Sequence, residues 1–241
     1  MQIVQVTLWM YAVALRRSLE CVGKNWVVSF APVAYGIGLS MIGTLVGPFG
    51  IVGGLIYSLA QAACISSGLF LIKNMVSAGR TDLQDFVSGF TVYLWEVIAI
   101  GFILWVPLWA LRTALAGVPN GALIYFLIQL ALYILLNAVP ELIYQSRTSG
   151  LELIGASYSF IVENWIEWLA PNLGLFALGY VLLDFVGSLL YGMPGFVQLF
   201  LEAFVVGLSL TYFMTFRGFL FAGLYGTTRR SRIYRYQARR D

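Results

Sequence analysis

Residues 122–142 read ALIYFLIQLALYILLNAVPEL, an apolar run whose single charged side chain is Glu141. A membrane-crossing helix needs about 20 mostly apolar residues, because each residue rises about 1.5 Å and the hydrocarbon layer is about 30 Å thick. This run has the length and the composition of a transmembrane helix.

The same test is met by five other stretches of the chain. They are residues 26–46, 51–72, 92–111, 166–187 and 196–216. Backbone N–H and C=O groups in lipid must be paired within their own segment, which favours helices. We therefore predict an all-α fold, a polytopic membrane helical bundle of about six transmembrane helices. It forms a single transmembrane helical domain over residues 1–228, and a basic cytoplasmic tail follows over residues 229–241.

The overall composition points to lipid as the solvent. Apolar residues make up 60% of the chain and charged residues 10%, and the mean hydropathy is +0.85, whereas a soluble domain carries about 25% charged residues. Histidine is absent, which excludes imidazole acid–base catalysis, imidazole metal ligands and Ser-His nucleophiles. Cys21 and Cys64 form no C-x-x-C pair. We expect no metal, no cofactor and no catalytic residue.

The connections between the apolar stretches are of two kinds. Residues 47–50, 117–121 and 191–195 are rich in Gly and Pro and predict tight hairpin turns. Residues 77–91 and 145–165 are longer and carry most of the loop charge. The two kinds of connection are expected on opposite faces of a membrane.

Basic residues give the orientation, because cytoplasmic segments retain Lys and Arg. With six helices and both termini inside, Arg112 is the single outer basic residue among the 14 of the chain. This distribution predicts a multi-pass protein of the cytoplasmic (inner) membrane of a prokaryote, with cytoplasmic N- and C-termini.

The longer inner segments contain amphipathic patterns. Residues 81–90, TDLQDFVSGF, begin with a Thr cap and place acids in the first turn. Residues 150–162 repeat the pattern more weakly, and the segment before Lys24 is a third candidate. The sequence predicts three units, each an interfacial helix followed by a transmembrane hairpin.

A shift of 139 residues superimposes part of the chain on itself and predicts a parallel internal repeat. Asn-Trp at each helix entrance combines a helix cap with an aromatic side chain that prefers the headgroup zone. We interpret these residues as entrance anchors, with a ligand role as the alternative. The matched pairs are Ser18 with Ser157, Asn25 with Asn164, Trp26 with Trp165, Ala31 with Ala170, and Pro32 with Pro171.

Three segments together carry a family resemblance. LRRSLECVGKNWVVSFAP (residues 15–32), DLQDFVSGF (residues 82–90) and LELIGASYSFIVENWIEWLAP (residues 151–171) resemble bacterial multi-pass families related to the membrane domain of glycerophosphoryl diester phosphodiesterase. In those families interfacial helices alternate with hydrophobic hairpins. The resemblance implies the architecture and supplies no catalytic residues.

Four acidic residues within or near the spans form the candidate intramembrane polar site, because ionisable groups in lipid are costly and often functional. Glu202 is expected to be the deepest, with a role in proton relay or cation binding. The alternative for all four is a structural partner, such as Arg80 or Arg147 for the acids near the inner face. The four are Glu202, Asp184, Glu96 and Glu141.

The tail RRSRIYRYQARR interleaves Arg with Tyr. A basic cluster beside the last helix gains about 1 kcal/mol per residue from anionic lipid. We therefore expect it to bind anionic headgroups of the bilayer, with docking to a protein as the alternative and no role in nucleic-acid binding. The residues concerned are Arg229, Arg230, Arg232, Arg235, Arg239 and Arg240.

Three functions remain open. The leading hypothesis is a non-enzymatic scaffold, accessory or assembly subunit that contacts other membrane-protein subunits, supported by Trp95, Trp105 and Trp109 on the third helix. The alternative is a small-solute transporter or permease component that uses Glu202 and a helix break at a proline. A membrane-embedded enzyme is third.

Overall fold

The structure, a computed structural model, describes residues 2–146 and 148–238, and the regular elements of these residues are all helices. Short 3₁₀ turns at Trp26–Phe30 and Gly47–Phe49 precede α2 and α3. The predicted all-α class is confirmed. In chain order the helices are α1 (Gln2–Lys24), α2 (Ala31–Val46), α3 (Gly50–Ala78), α4 (Leu83–Val92), α5 (Leu94–Leu115), α6 (Gly121–Leu135), α7 (Val139–Gln145), α8 (Leu151–Leu190), α9 (Gly195–Leu224) and α10 (Arg229–Gln237).

Five helical segments of the described residues are long and apolar enough to cross a membrane, which indicates a membrane protein. The first segment, Trp26–Ala78, is 53 residues long and folds back on itself at Pro48, so that the Tyr35 hydroxyl donates to Ser67 Oγ at 2.7 Å. Its two arms are α2 and α3. The five segments therefore contain all six predicted apolar stretches except residues 92 and 93 of the third.

Two of the hairpin turns close through a glycine of the returning helix. A Cβ on Gly53 would lie 1.9 Å from the carbonyl oxygen of Val46, and a Cβ on Gly121 would lie 2.0 Å from that of Leu115. Only glycine permits this approach.

Each of the three helices predicted to be interfacial ends at one non-helical residue, and the first arm of a predicted transmembrane hairpin follows it. The three hinge residues are Asn25 (φ −117°, ψ 33°), Tyr93 (φ −114°, ψ 14°) and Asn164 (φ −128°, ψ 21°). Asn164 lies inside α8 and divides it into an interfacial part and a membrane-length part. The chain thus contains three groups of a leading helix and a following hairpin, in the predicted order, and the hinge residue has similar φ and ψ in each. The interfacial position of the leading helices stays a prediction.

Two local details differ from the sequence prediction. The predicted Thr81 cap is wrong by one position: Asp82 precedes α4, and its N–H donates to the Asp85 carboxylate at 2.9 Å. The fourth apolar stretch is broken at residues 136–138, between α6 and α7. Pro140 at the start of α7 has no N–H to continue the helix from α6.

The buried core lies at one end of the bundle. We call the end that holds Asn25, Tyr93 and Asn164 the hinge end, and the opposite end, with the three tight turns, the turn end. Met75, Leu142 and Trp168 near the hinge end are fully buried. Helix α1 contacts α9 and α10 there. The exposed aromatic side chains of the turn-end halves include Phe102, Trp105, Trp109, Phe126, Phe176, Phe185 and Phe196.

Candidate functional site

The two asparagine hinges use the same local chemistry. The Asn25 amide donates to the carbonyl of Cys21 at 2.8 Å, and the Asn164 amide donates to that of Phe160 at 3.1 Å. Each asparagine therefore caps the helix that precedes it, four residues back. Both side chains are buried, while Trp26 and Trp165, the residues that follow them, are exposed by 54% and 56%. The predicted cap is therefore wrong in direction: both asparagines cap the end of the preceding helix, and Asn25 makes no side-chain cap bond to the helix that follows. The anchoring of Trp26 and Trp165 in the headgroup zone stays a prediction.

The distal atoms of the two asparagines have different partners. Asn25 Nδ2 donates to the carbonyl of Gly79 at 3.1 Å, and its Oδ1 accepts from the N–H of Thr81 at 3.0 Å. Asn164 Oδ1 accepts instead from the guanidinium of Arg232 at 2.6 Å. The first hinge thus binds neutral backbone beyond α3, and the third binds a charged side chain beyond α9.

Arg232 links the C-terminal end of α9 to Asn164, the third hinge residue. Its guanidinium donates to Oγ1 and the carbonyl of Thr227, at 2.9 Å each, and to the carbonyl of Leu224 at 3.3 Å. Burial lowers the pKa of the Arg232 guanidinium, and the Glu167 carboxylate opposes that shift. Cations are favoured at a helix C-terminus, where unpaired carbonyls collect.

Glu167 lies on the α8 side of this junction and is nearly buried. Arg229 Nε donates to its carboxylate at 2.9 Å, and the Tyr11 hydroxyl donates to its backbone carbonyl at 3.1 Å. Burial, followed by the nearby Glu167 charge, raises the pKa of Tyr11 to about 12. The junction therefore joins α1, α8 and α10.

A second polar cluster lies between α7, α8 and α9. Arg217 donates through Nε and Nη2 to the two carboxylate oxygens of Glu141, at 2.7 Å each, and Nη2 also donates to the carbonyl of Asn137. The Trp168 indole N–H donates to Asn137 Oδ1 at 3.0 Å, and the Arg217 guanidinium lies 5.1 Å from the Trp168 ring centre. Glu141 is fully buried.

The helix break makes this cluster possible. Residues 136–138 leave the helical path between α6 and α7, so Asn137 presents its carbonyl sideways to Arg217. Irregular backbone at membrane depth is tolerated where neighbouring protein supplies the missing hydrogen bonds. The bidentate pair is buried between the two helices and holds α7 against α9.

The four predicted acids do not form one site. Glu202 is half-buried, accepts from Gln198 Nε2 at 2.8 Å, and lies beside Gly187 of α8. Asp184 is exposed, and Glu96 is half-exposed in the first turn of α5. Glu141 is paired with Arg217, which is neither of the partners expected for it.

The predicted docking arginines also divide into groups. Arg229 and Arg232 make the internal contacts described above, and Arg230 and Arg235 are exposed on α10. Arg239 and Arg240, like Arg147, lie outside the described residues. Among the described residues no group of three or more Cys, Asp or Glu side chains is placed to hold a metal ion.

An apolar groove of about 610 Å³ lies among α2, α3, α5, α7 and α9. Its lining includes Tyr35, Ile100 and Leu210 from three different helices. One feature is unusual for a surface that faces lipid: Gln61 brings an exposed amide to it. Gly36 also lines the groove, and a Cβ added there would meet nothing within 4 Å.

No protein-family model, no curated protein and no solved structure matches this chain. The family resemblance of the three sequence segments therefore stays a prediction.

Sequence reasoning missed Arg217 and Trp168 as members of a polar cluster. The predicted sixth stretch ended at residue 216, whereas α9 continues to Leu224 and carries Arg217 within it. Two sequence signals could have indicated the cluster. Residues 137–141, N-A-V-P-E, favour a helix break, and an arginine directly follows the long apolar run of residues 196–216.

Proposed function

We propose that this protein is a non-enzymatic accessory or assembly subunit that binds a transmembrane helix of another membrane protein in the groove among α2, α3, α5, α7 and α9. The observation that carries the proposal is the exposed, unfilled wall of this groove around Gly36 and Gln61.

Gly36 supports a helix as the occupant. A glycine inside a helix costs roughly 0.5–1 kcal/mol relative to alanine, and membrane helices recover such a cost when small residues let two backbones approach closely. Outside its own helix backbone, no heavy atom of the described residues lies within 4 Å of where a Cβ on Gly36 would stand. A partner helix packed against α2 would supply the missing contact.

Gln61 supports the same occupant. It lies 11 residues after the start of α3, so it is about 17 Å along that helix, near the middle of a hydrocarbon layer about 30 Å thick. Its amide is exposed and has no hydrogen-bond partner among the residues that the structure describes. An acyl chain cannot pair an amide, whereas another helix can, and such bonds contribute about 0.6–2 kcal/mol.

Site-specific photocrosslinking tests this proposal. A benzoylphenylalanine at position 61 should crosslink to one other membrane protein in native membranes. The matched control is position 129, because Gln129 is also an exposed amide but lies outside the groove, where it bonds to Tyr125. No protein crosslink is expected there.

Gentle extraction and native mass spectrometry give the second arm. Gly36→Leu should release a stoichiometric partner, and Gly38→Leu, also without neighbours within 4 Å but outside the groove, should retain it. A lone monomer in the native spectrum, or crosslinks from position 61 to lipid alone, would exclude the proposal.

A further inference from the structure

A separate cavity at the hinge end has the chemistry of a lipid headgroup site. It measures about 440 Å³ and lies between α1, α9 and α10. Its described lining contains three arginines and no acidic residue: Arg17, Arg232 and Arg235. The rest of the lining is mostly apolar and includes Met10 and Phe219.

The three arginines are not equivalent. Arg232 is buried and donates through Nε and Nη2 at the end of α9. Arg17 and Arg235 are exposed and have no hydrogen-bond or acidic partner among the described residues. Two guanidinium groups, from helices far apart in sequence, therefore face one cavity without an anion to balance them.

The neighbouring basic residues show that this arrangement is specific to the cavity. Arg16, next to Arg17 on α1, pairs with Glu20 at 2.9 Å and lines no part of the cavity. Arg230, on the first turn of α10, is exposed and also lies outside it. The cavity thus combines the unpaired arginines with an apolar wall formed by α1 and α9.

We propose that this cavity binds one anionic glycerophospholipid, with its phosphate between Arg17 and Arg235 and an acyl chain along Met10, Val13 and Phe219. Guanidinium groups bind phosphate oxygens through paired N–H donors, and basic pockets beside membrane helices recognise anionic headgroups. An amphipathic helix such as α1 is expected at the depth where headgroups and acyl chains meet. This site is distinct from the groove proposed for a partner helix.

Native mass spectrometry of the delipidated full-length protein tests the proposal directly. The protein in neutral detergent is titrated with phosphatidylglycerol and with phosphatidylcholine of identical acyl chains. One phosphatidylglycerol per chain should bind in preference. The double variant Arg17→Gln/Arg235→Gln should weaken this binding about 30-fold, since one arginine contributes roughly fivefold near a membrane surface.

The matched control is the double variant Arg16→Gln/Arg230→Gln, which removes the same charge from the same two helices. It should bind phosphatidylglycerol as the unaltered protein does. Equal losses in the two double variants would mean a general attraction of positive charge to the membrane, and no loss in either would mean that the cavity is not the site. Each of these results would overturn the proposal.

A fluorescence measurement on the unaltered fold guards against a variant that fails to fold. Trp9 lines the cavity, so phosphatidylglycerol with brominated acyl chains should quench its emission. The quenching should fall in Trp9→Phe, and brominated phosphatidylcholine should show no such difference. Quenching that is the same for both lipids, or unchanged in Trp9→Phe, would contradict a lipid at this position.

Discussion

The first and third units share a backbone plan but differ in the groups that hold their helices together. In the first unit, Asn25 binds the backbone beyond α3, and Ser66 and Ser67 of α3 donate to carbonyls of α4, the leading helix of the second unit, at 2.7 and 2.8 Å. In the third unit, Asn164 binds Arg232, and Arg229 binds Glu167. The contacts of the first unit are therefore neutral hydrogen bonds, whereas those of the third unit involve charged side chains.

The comparison shows that a hinge geometry does not require one particular chemistry. The dihedral angles of Asn25 and Asn164 differ by about 12° at most, and both amides cap the helix four residues back. Neutral bonds contribute about 0.5–1.5 kcal/mol each, and bonds to charged groups about 1.5–3 kcal/mol. Loss of one such side chain should therefore lower the free energy of unfolding more in the third unit than in the first.

The largest effect is expected where the third unit meets the second, at Glu141. Glu141→Ala leaves Arg217 as an uncompensated buried charge and should lower the free energy of unfolding by about 3–5 kcal/mol. Steric trapping in bicelles measures this quantity.

The double variant Glu141→Leu/Arg217→Met is the control. It removes both charges and should recover most of the loss, because apolar replacement of a complete buried pair is often neutral. If the double variant were as unstable as Glu141→Ala, the pair would have a role beyond charge compensation.

A direct comparison of the hinges comes next in size. Asn164→Ala removes a bond to the buried guanidinium of Arg232 and should lower the free energy of unfolding by about 2–3 kcal/mol. Asn25→Ala removes neutral bonds and should lower it by about 1–2 kcal/mol. The same steric-trapping assay ranks the two, and the reverse order would refute the chemical distinction between the units.

The smallest effect is expected at Arg229, whose side chain is 54% exposed in its pair with Glu167. Arg229→Ala should lower the free energy of unfolding by about 1 kcal/mol or less, because exposed pairs contribute little and Arg232 still lies near Glu167. The loss should shrink further in 1 M salt, which screens exposed charges. A loss that is independent of salt would show that packing, and not charge, is the contribution of Arg229.

The sequence predicts the helical class, the three units and the position of both asparagine hinges. These features depend on local signals: long apolar runs, Gly-Pro turns, and an Asn-Trp pair that recurs at a fixed spacing. The second hinge at Tyr93 carries no such pair, and its likeness to the other two is visible only in its backbone angles.

The polar contacts could not be predicted because each depends on which side chains meet across helices. Glu141 and Arg217 are 76 residues apart, and the sequence around either residue does not identify the other as its partner. Burial follows helix packing: Glu141 is fully buried in the packed hinge end, and Glu202 is half-buried nearer the open turn end. The expectation that Glu202 lies deepest in the membrane stays a prediction.

The tight turns have a consequence for how the chain enters a bilayer during synthesis. The three connections at the turn end, residues 47–50, 116–120 and 191–194, contain no charged side chain. Carrying charge through hydrocarbon is the costly part of translocating a loop. With the cytoplasmic termini that the basic residues predict, three helical pairs could be inserted one after another, each with both of its ends on the cytoplasmic side.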